Sequence, residues 1–118
     1  MAGFRLTHAA EVDIDAVLTW SYEEFGPEAM RRYEALLVAA MVDAASGQRL
    51  GRTPRPELGE GVFSWHLRQS RGQDVRIRVR QPRHFLLCRH DGDVIVIARV
   101  LHEAMDPERH LNPSADLK

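Results

Sequence analysis

The sequence predicts an α+β fold in which an α-helical hairpin packs on a mainly antiparallel sheet of about four strands, in the order β-α-α-β-β-β. Three observations support this prediction. Residues 8–46 show helical spacing of apolar positions, residues 62–88 alternate or are β-branched, and Val94–Leu101 is an almost purely aliphatic run. Because 118 residues suffice for one core, residues 1–118 are expected to form a single domain.

The first half of the chain predicts a short strand and two helices. Residues 4–8 alternate as a strand does, and the first helix should run from about Ala10 to Phe25. Gly26-Pro27 separates it from a second helix that ends near Ser46. The inward positions are predicted to be Ala10, Ile14, Val17, Leu18, Ser21 and Phe25 in the first helix, and Met30, Tyr33, Leu37, Ala40, Met41 and Ala44 in the second.

The second half predicts the sheet. Residues 47–61 read as a surface connection, and residues 62–69 as a strand with one wet side. An extended or inserted hairpin is expected at 70–81, and residues 85–88 should form a buried strand. A turn at residues 91–93 then leads into the central strand. The apolar face of the 62–69 strand is predicted to hold Phe63, Trp65 and Leu67, and the polar face Ser64, His66 and Arg68.

Composition bears on the expected compartment of the protein and on whether it has disulfides, metal sites or membrane spans. The single cysteine, Cys88, excludes an intramolecular disulfide, so a reducing cytoplasm is the expected compartment. The chain lacks the cysteine and histidine spacing of zinc sites, and we expect no metal and no cofactor. No apolar run approaches the roughly 20 residues of a membrane span, so no membrane association is expected.

Charge is segregated along the chain, although the net charge is only −1. Residues 8–46 carry eight carboxylates and two arginines, whereas residues 52–90 carry nine arginines and three carboxylates. The planar fork of arginine suits recognition of carboxylates and phosphates. The pattern predicts a basic surface for an acidic partner or a nucleic acid, or else a solvated surface, and both interpretations stay open.

Several local patterns together resemble one family. They are the short first strand before "AEVDIDAV", the helix junction "EEFGPEAMRRY", the connection "GQRLGRTPRPELGEGV", and "PRHFLLCRHDGDVIVIARVLHEAMDPERHL" at the end. With the element order, they resemble the RelE/ParE superfamily of type II toxin–antitoxin toxins, and the ParE branch most closely. The resemblance covers about residues 4–111. It departs from the ParE pattern at residues 70–81 and at Cys88, where a tyrosine is usual.

The resemblance implies a toxin that inhibits DNA gyrase by direct binding and is neutralised by a ParD-like antitoxin with an acidic, apolar C-terminal segment. Nucleic acid would be contacted only indirectly, through the target or the antitoxin. The RelE branch implies an alternative, a ribosome-dependent mRNA endoribonuclease. A third reading is a degenerate, non-toxic binding module, which the insertion and the nearly neutral charge would fit.

Two sets of residues are predicted to carry these functions. The tail after the central strand is the expected target-binding surface, because a rigid buried strand holds its end in place; it comprises Arg99, His102, Met105 and Arg109. A ribonuclease would instead use His102, Glu103, Arg99 and Arg109. An exposed strip of apolar side chains with the arginine ribbon is expected to bind the antitoxin; its members are Phe63, Trp65, Leu67, Arg76, Arg78 and Arg80.

Overall fold

The computed structural model describes residues 3–47, 50–72 and 79–110, without the side chains of Glu108 and His110. The hairpin predicted for residues 70–81 therefore lies largely outside the described residues. Arg76 and Arg78 lie outside them as well.

The predicted element order is confirmed, with both helices within about two residues of their expected bounds. The elements are β1 Gly3–Leu6, α1 His8–Phe25, α2 Pro27–Ala45, β2 Arg52–Pro54, β3 Phe63–His66, β4 His84–Asp91, β5 Val94–His102 and α3 Pro107–His110. Short 3-10 turns cover Pro56–Leu58 and Leu67–Ser70. Gly26 joins α1 to α2 with a φ of 89°, a left-handed conformation that glycine adopts without strain.

Within the described residues, the sheet has five strands where about four were expected, in the order β1-β5-β4-β3-β2. Among these five strands, the β1–β5 pair is parallel and the other three pairs are antiparallel, in agreement with the mainly antiparallel sheet that was predicted. The additional strand is β2, inside the stretch interpreted as a surface connection. It is three residues long and lies at the sheet edge, where Pro54 is tolerated because no further strand needs its missing N–H.

The strand predicted for residues 62–69 is half as long as expected. It ends at His66, and the chain then turns into the 3-10 segment Leu67–Ser70. The wet side predicted for it is also wrong at Ser64, which is buried. A buried hydrogen bond of 2.9 Å, donated by the indole Nε1 of Trp65 to the Ser70 hydroxyl, stabilises the turn. Alternation of polar and apolar residues cannot reveal such a contact.

The core lies between the helical hairpin and one face of the sheet. Its centre is formed by Leu36, Leu37, Ala40, Ala44, Trp65, Leu67, Leu86, Cys88, Ile97 and Val100. Cys88 is fully buried, and burial raises the pKa of its thiol far above the ordinary range, so it behaves as a small apolar side chain. Phe25, predicted to face inward, is exposed instead; it is the last residue of α1, and its ring meets that of Trp20 edge-on.

The start of α1 is hydrogen-bonded to β5 at the point where the pairing of β1 with β5 ends. The pairing of β1 with β5 ends at Leu6 opposite Ile97. From there Thr7 takes over, donating its backbone N–H to the Ile97 carbonyl at 3.1 Å and its hydroxyl to the Ala98 carbonyl at 2.7 Å. The same hydroxyl accepts from the Ala10 N–H and so caps the helix.

Asp13, about one helical turn after Ala10, adds a second set of hydrogen bonds between α1 and β5. Its carboxylate accepts hydrogen bonds from Arg99 Nε at 2.7 Å, Arg99 Nη2 at 3.0 Å and the Val100 backbone N–H at 2.9 Å. The two side chains are only 15% and 19% exposed. A bidentate pair in this setting fixes α1 against the second half of β5.

Candidate functional site

The acid–base side chains converge where β3 ends, β4 begins and β5 ends. Antiparallel pairing produces this convergence, because it places His84 opposite His102 and His66 opposite Phe85. Glu103 follows β5 directly, and its backbone N–H donates to the Arg83 carbonyl at 2.8 Å. Three histidines, a glutamate and an arginine therefore gather at one end of the sheet.

Glu103 is the hub of the exposed part of this cluster. One carboxylate oxygen accepts from Arg83 Nη1 at 2.8 Å, and the other pairs with His66 Nε2 at 2.9 Å. The Nδ1 of His66 accepts from the Arg68 backbone N–H, so a neutral His66 carries its proton on Nε2, facing Glu103. Hydrogen bonds from Arg83, and then from His66, lower the pKa of Glu103 to about 2. Glu103 is therefore a carboxylate throughout the neutral range.

Tyr33 and His84 form the buried part of the cluster. The Tyr33 hydroxyl lies 2.6 Å from His84 Nδ1 and accepts a 3.2 Å hydrogen bond from the Arg83 backbone N–H, so its own proton points to His84. The His84 ring meets that of His102 edge-on, at 5.3 Å between ring centres. Burial lowers the pKa of His84 to about 4, with the neighbouring His102 and His66 adding to the effect, and burial raises the pKa of Tyr33 to about 12.

Stability should fall on mild acidification because of His84. Its pKa is about 4 in the fold and about 6.5 when exposed, so between these values the unfolded chain binds more protons and folding weakens as pH falls. We expect a loss of about 2 kcal/mol in the free energy of unfolding between about pH 7 and pH 4.8. Urea unfolding at both pH values measures this change in the free energy of unfolding.

His84→Gln should flatten that dependence, because the amide cannot take up a proton but can still accept from Tyr33. His8→Gln, at an exposed position, should leave it unchanged. If the free energy of unfolding depended on pH equally in the native chain and in His84→Gln, the assignment of this dependence to His84 would be contradicted. Glu103 does not interfere, because its stabilising contribution is lost only between about pH 4.5 and pH 2.

Two openings flank the cluster. An apolar cleft of about 340 Å³ lies beside the tip of the helical hairpin; its lining includes Trp20, Phe25, Tyr33, Val79, His84 and His102. A basic opening of about 230 Å³ lies on the other side; its lining includes His66, Arg68, Arg71, Arg80, Arg83 and Glu103. Gln81 and Arg83 line both, so the two openings are adjacent.

The predicted tail residues fall in different places. His102 belongs to the cluster, half-buried, with Nδ1 accepting from the Ala104 N–H at 3.0 Å. Arg99 is bound to Asp13 instead. Met105 is 42% exposed, and the Arg109 side chain is 84% exposed, 3.9 Å from Asp106.

The ribonuclease set is therefore only partly assembled. The structure brings His102 and Glu103 to the cluster, whereas the described contacts of Arg99 and Arg109 are with Asp13 and Asp106. Sequence reasoning missed His66, Arg83 and the Tyr33–His84 pair. The turn at residues 91–93 could have brought residue 84 near the end of β5, since a regular antiparallel hairpin centred there places residue 84 opposite residue 101. A register shift at Leu87/Cys88 moves the partner of His84 to His102, and the sequence pattern carries no signal for that shift.

The apolar strip predicted to bind an antitoxin is not exposed. Phe63, Trp65 and Leu67 are 4%, 1% and 0% exposed and lie in the core under the helices. Alternation identified the apolar face of the strand correctly, but that face is the one the hairpin covers. Arg80 is exposed as expected.

Within the described ranges, no group of three or more histidine, cysteine or acidic side chains is placed to hold a metal ion. In the same part of the chain, no helix is long and apolar enough to cross a membrane.

Comparisons with known proteins agree with one another. A family model described as the ParE toxin of type II toxin–antitoxin system, parDE, matches residues 4–107. Among solved structures, the chain is similar to one from "Chromosomal ParDE TA system from P. aeruginosa", with a TM-score of 0.60 and 20% identity over 86% of this chain and 96% of that one. At that identity the structural likeness concerns the fold. Among curated proteins, none matches.

Proposed function

This chain belongs to the ParE toxin family of type II toxin–antitoxin systems, and we therefore propose that it arrests bacterial growth by binding and inhibiting DNA gyrase. It acts in the cytoplasm and is neutralised by a ParD-like antitoxin. The observation that carries this proposal is the family match, which spans residues 4–107. The proposal needs no active-site chemistry of the toxin itself.

The end of β5 and the tail after it are the proposed gyrase-binding surface. Met105 and Arg109 project from the tail into solvent, and His102 lies at its base. An exposed methionine beside an arginine suits an interface, since both residue types are enriched there. Arg99 contributes indirectly, because its ion pair with Asp13 holds the strand that positions the tail.

A groove lined by residues of α1, α2 and β1 is the proposed antitoxin site. It measures about 490 Å³, and its apolar lining includes Leu6, Ile14, Leu18, Ala35, Leu37, Val38 and Met41. Val38 and Val42, one helical turn apart on α2, are both about half-exposed. An apolar face of this kind fits an amphipathic helix that folds on binding. The exposed Arg80, together with Arg76 and Arg78, remains our proposal for contacts with acidic antitoxin side chains.

The double substitution Val38→Asp/Val42→Asp should weaken antitoxin binding at least about 100-fold, because it places two carboxylates in an apolar interface. Calorimetric titration of the toxin with a coexpressed ParD-like antitoxin measures the effect. Toxicity should persist and should no longer be suppressed by the antitoxin. Leu50→Asp, at an exposed position away from the groove, is the matched control. Unchanged affinity in the double variant would place the antitoxin elsewhere.

A second candidate is a ribosome-dependent endoribonuclease, favoured by the Glu103–His66 pair among arginines. In that reaction the Glu103 carboxylate would take the proton of the ribose 2′-hydroxyl, whose oxygen attacks phosphorus. The bond from phosphorus to the 5′-oxygen breaks as a protonated His66 donates to that oxygen, and Arg83 stabilises the phosphate. The products are a 2′,3′-cyclic phosphate and a 5′-hydroxyl.

Glu103→Gln separates the two candidates. A gyrase inhibitor should keep its toxicity, because Glu103 is exposed and outside the proposed binding residues. A ribonuclease should lose activity by about 100-fold or more, as expected when a general base is removed. Growth after induced expression is the measurement, with message cleavage followed by primer extension. A degenerate binding module, the third reading, would leave growth unaffected even in the unsubstituted chain.

A further inference from the structure

A surface that combines arginines with exposed aromatic rings lies beside the Glu103 cluster and, apart from Arg80 and His102, lies outside the proposed gyrase-binding and antitoxin-binding residues. We propose that this surface binds single-stranded nucleic acid, with the basic opening holding phosphates and the aromatic cleft stacking bases. The inference goes beyond gyrase inhibition, since it assigns the toxin a direct contact with nucleic acid.

The basic opening supplies the phosphate contacts. Arg68, Arg71, Arg80 and Arg83 line it together with His66, and all four arginines are exposed. Among the described lining residues, Glu103 is the only carboxylate, and its two oxygens are occupied by Arg83 and His66. Arg71 donates to the Arg80 carbonyl at 2.6 Å, which fixes its guanidinium at the opening. The excess of positive charge is complementary to a polyanion.

Two of these arginines are available for a ligand. In the part of the chain that the structure describes, neither Arg68 nor Arg80 forms an ion pair or donates a side-chain hydrogen bond. Their guanidinium groups carry forks that match the paired oxygens of a phosphate.

The adjoining cleft supplies the stacking surface. Trp20 is about half-exposed and Phe25 is two-thirds exposed, and their rings meet edge-on at 5.5 Å between centres. The edge-on contact covers part of one ring face, and the remaining surface of both rings is accessible to a ligand. Arg83 lines both the cleft and the basic opening, so phosphates and stacked bases of one strand can be reached together. Cationic grooves with exposed aromatic rings are typical of proteins that bind single strands without reading their sequence.

An acidic protein segment is the competing occupant, because carboxylates would also suit the arginines. The exposed aromatic rings favour nucleic acid, since every base presents a flat face to stack on and a carboxylate does not. The test therefore includes a polyanion without bases.

Fluorescence anisotropy of a labelled oligothymidylate about 12 nucleotides long, titrated with the full chain at low salt, tests the proposal. We expect binding that weakens with salt at a logarithmic slope near −3, from about four phosphate contacts at roughly 0.7 each. Arg68→Gln/Arg80→Gln should weaken binding at least about tenfold and make the slope shallower by about 1.4. Trp20→Ala should weaken binding about tenfold with the slope unchanged.

Arg5→Gln/Arg31→Gln removes the same charge from exposed positions elsewhere and should leave the affinity within about twofold. Circular dichroism checks that each variant is folded. Absence of binding, binding unaffected by the Arg68/Arg80 and Trp20 variants, or equal affinity for a polyglutamate peptide of the same charge would each overturn the proposal. The assay contains neither gyrase nor ribosomes, so its failure leaves the proposed function untouched.

Discussion

Replacing Asp13 with alanine should lower the free energy of unfolding by about 3 to 5 kcal/mol, the largest effect on stability that we expect of any single polar residue. The substitution leaves the guanidinium of Arg99 without its bidentate partner in a site where it is 19% exposed. It also leaves the Val100 N–H without its acceptor on the stretch of β5 that β1 does not cover. Urea unfolding at pH 7 measures the change.

A double-mutant cycle identifies the cause. Arg99→Met combined with Asp13→Ala should be less destabilising than the sum of the single changes, because no unpaired charge then stays in the junction. Asp15→Ala removes an exposed carboxylate from the same helix and should cost less than about 0.5 kcal/mol. A loss below about 1 kcal/mol for Asp13→Ala would contradict the role assigned to this junction.

Met105→Glu/Arg109→Glu should abolish growth arrest. If the tail binds gyrase, the double variant replaces an apolar contact by a charge and reverses a second charge, so we expect inhibition of supercoiling to weaken at least about 100-fold. Both side chains are solvent-exposed, so the fold should be retained. Induced expression measures toxicity, and circular dichroism confirms folding.

The matched control is Leu50→Glu/Arg5→Glu, which introduces the same change in charge at exposed positions. It should remain toxic. The opposite pattern would be a toxic tail variant and a non-toxic Arg76→Ala/Arg78→Ala/Arg80→Ala variant. That result would mean that the target and antitoxin surfaces are assigned the wrong way round.

Periodicity predicted the elements of this fold because most of them bury one face. The apolar stripe of α2, the β-branched run of β5 and the Gly26-Pro27 junction each carry a local signal that the structure follows. The short strand β2 escaped prediction, since three residues that include Pro54 hold no periodic pattern. The end of β3 at His66 also escaped, because the hydrogen bond from Trp65 to Ser70 that holds the turn is a tertiary contact.

The candidate site was harder to predict because its members come from separate elements. His102 and Glu103 were identified from the chemistry at the end of β5, but Tyr33 was assigned only to the inner stripe of α2. Its hydroxyl reaches His84 across 51 positions of sequence. Arg99 shows the reverse difficulty, since its position at the end of a strand predicted a contact with the target, and the sequence pattern did not reveal its pairing with Asp13 of the same chain.

DNA supercoiling by purified gyrase, with increasing amounts of the purified toxin, tests the central claim most directly. We predict that the toxin inhibits supercoiling, that Glu103→Gln inhibits equally well, and that Met105→Glu/Arg109→Glu does not. The opposite result would be unaffected supercoiling with all three proteins, accompanied by cleavage of ribosome-bound messages that Glu103→Gln abolishes.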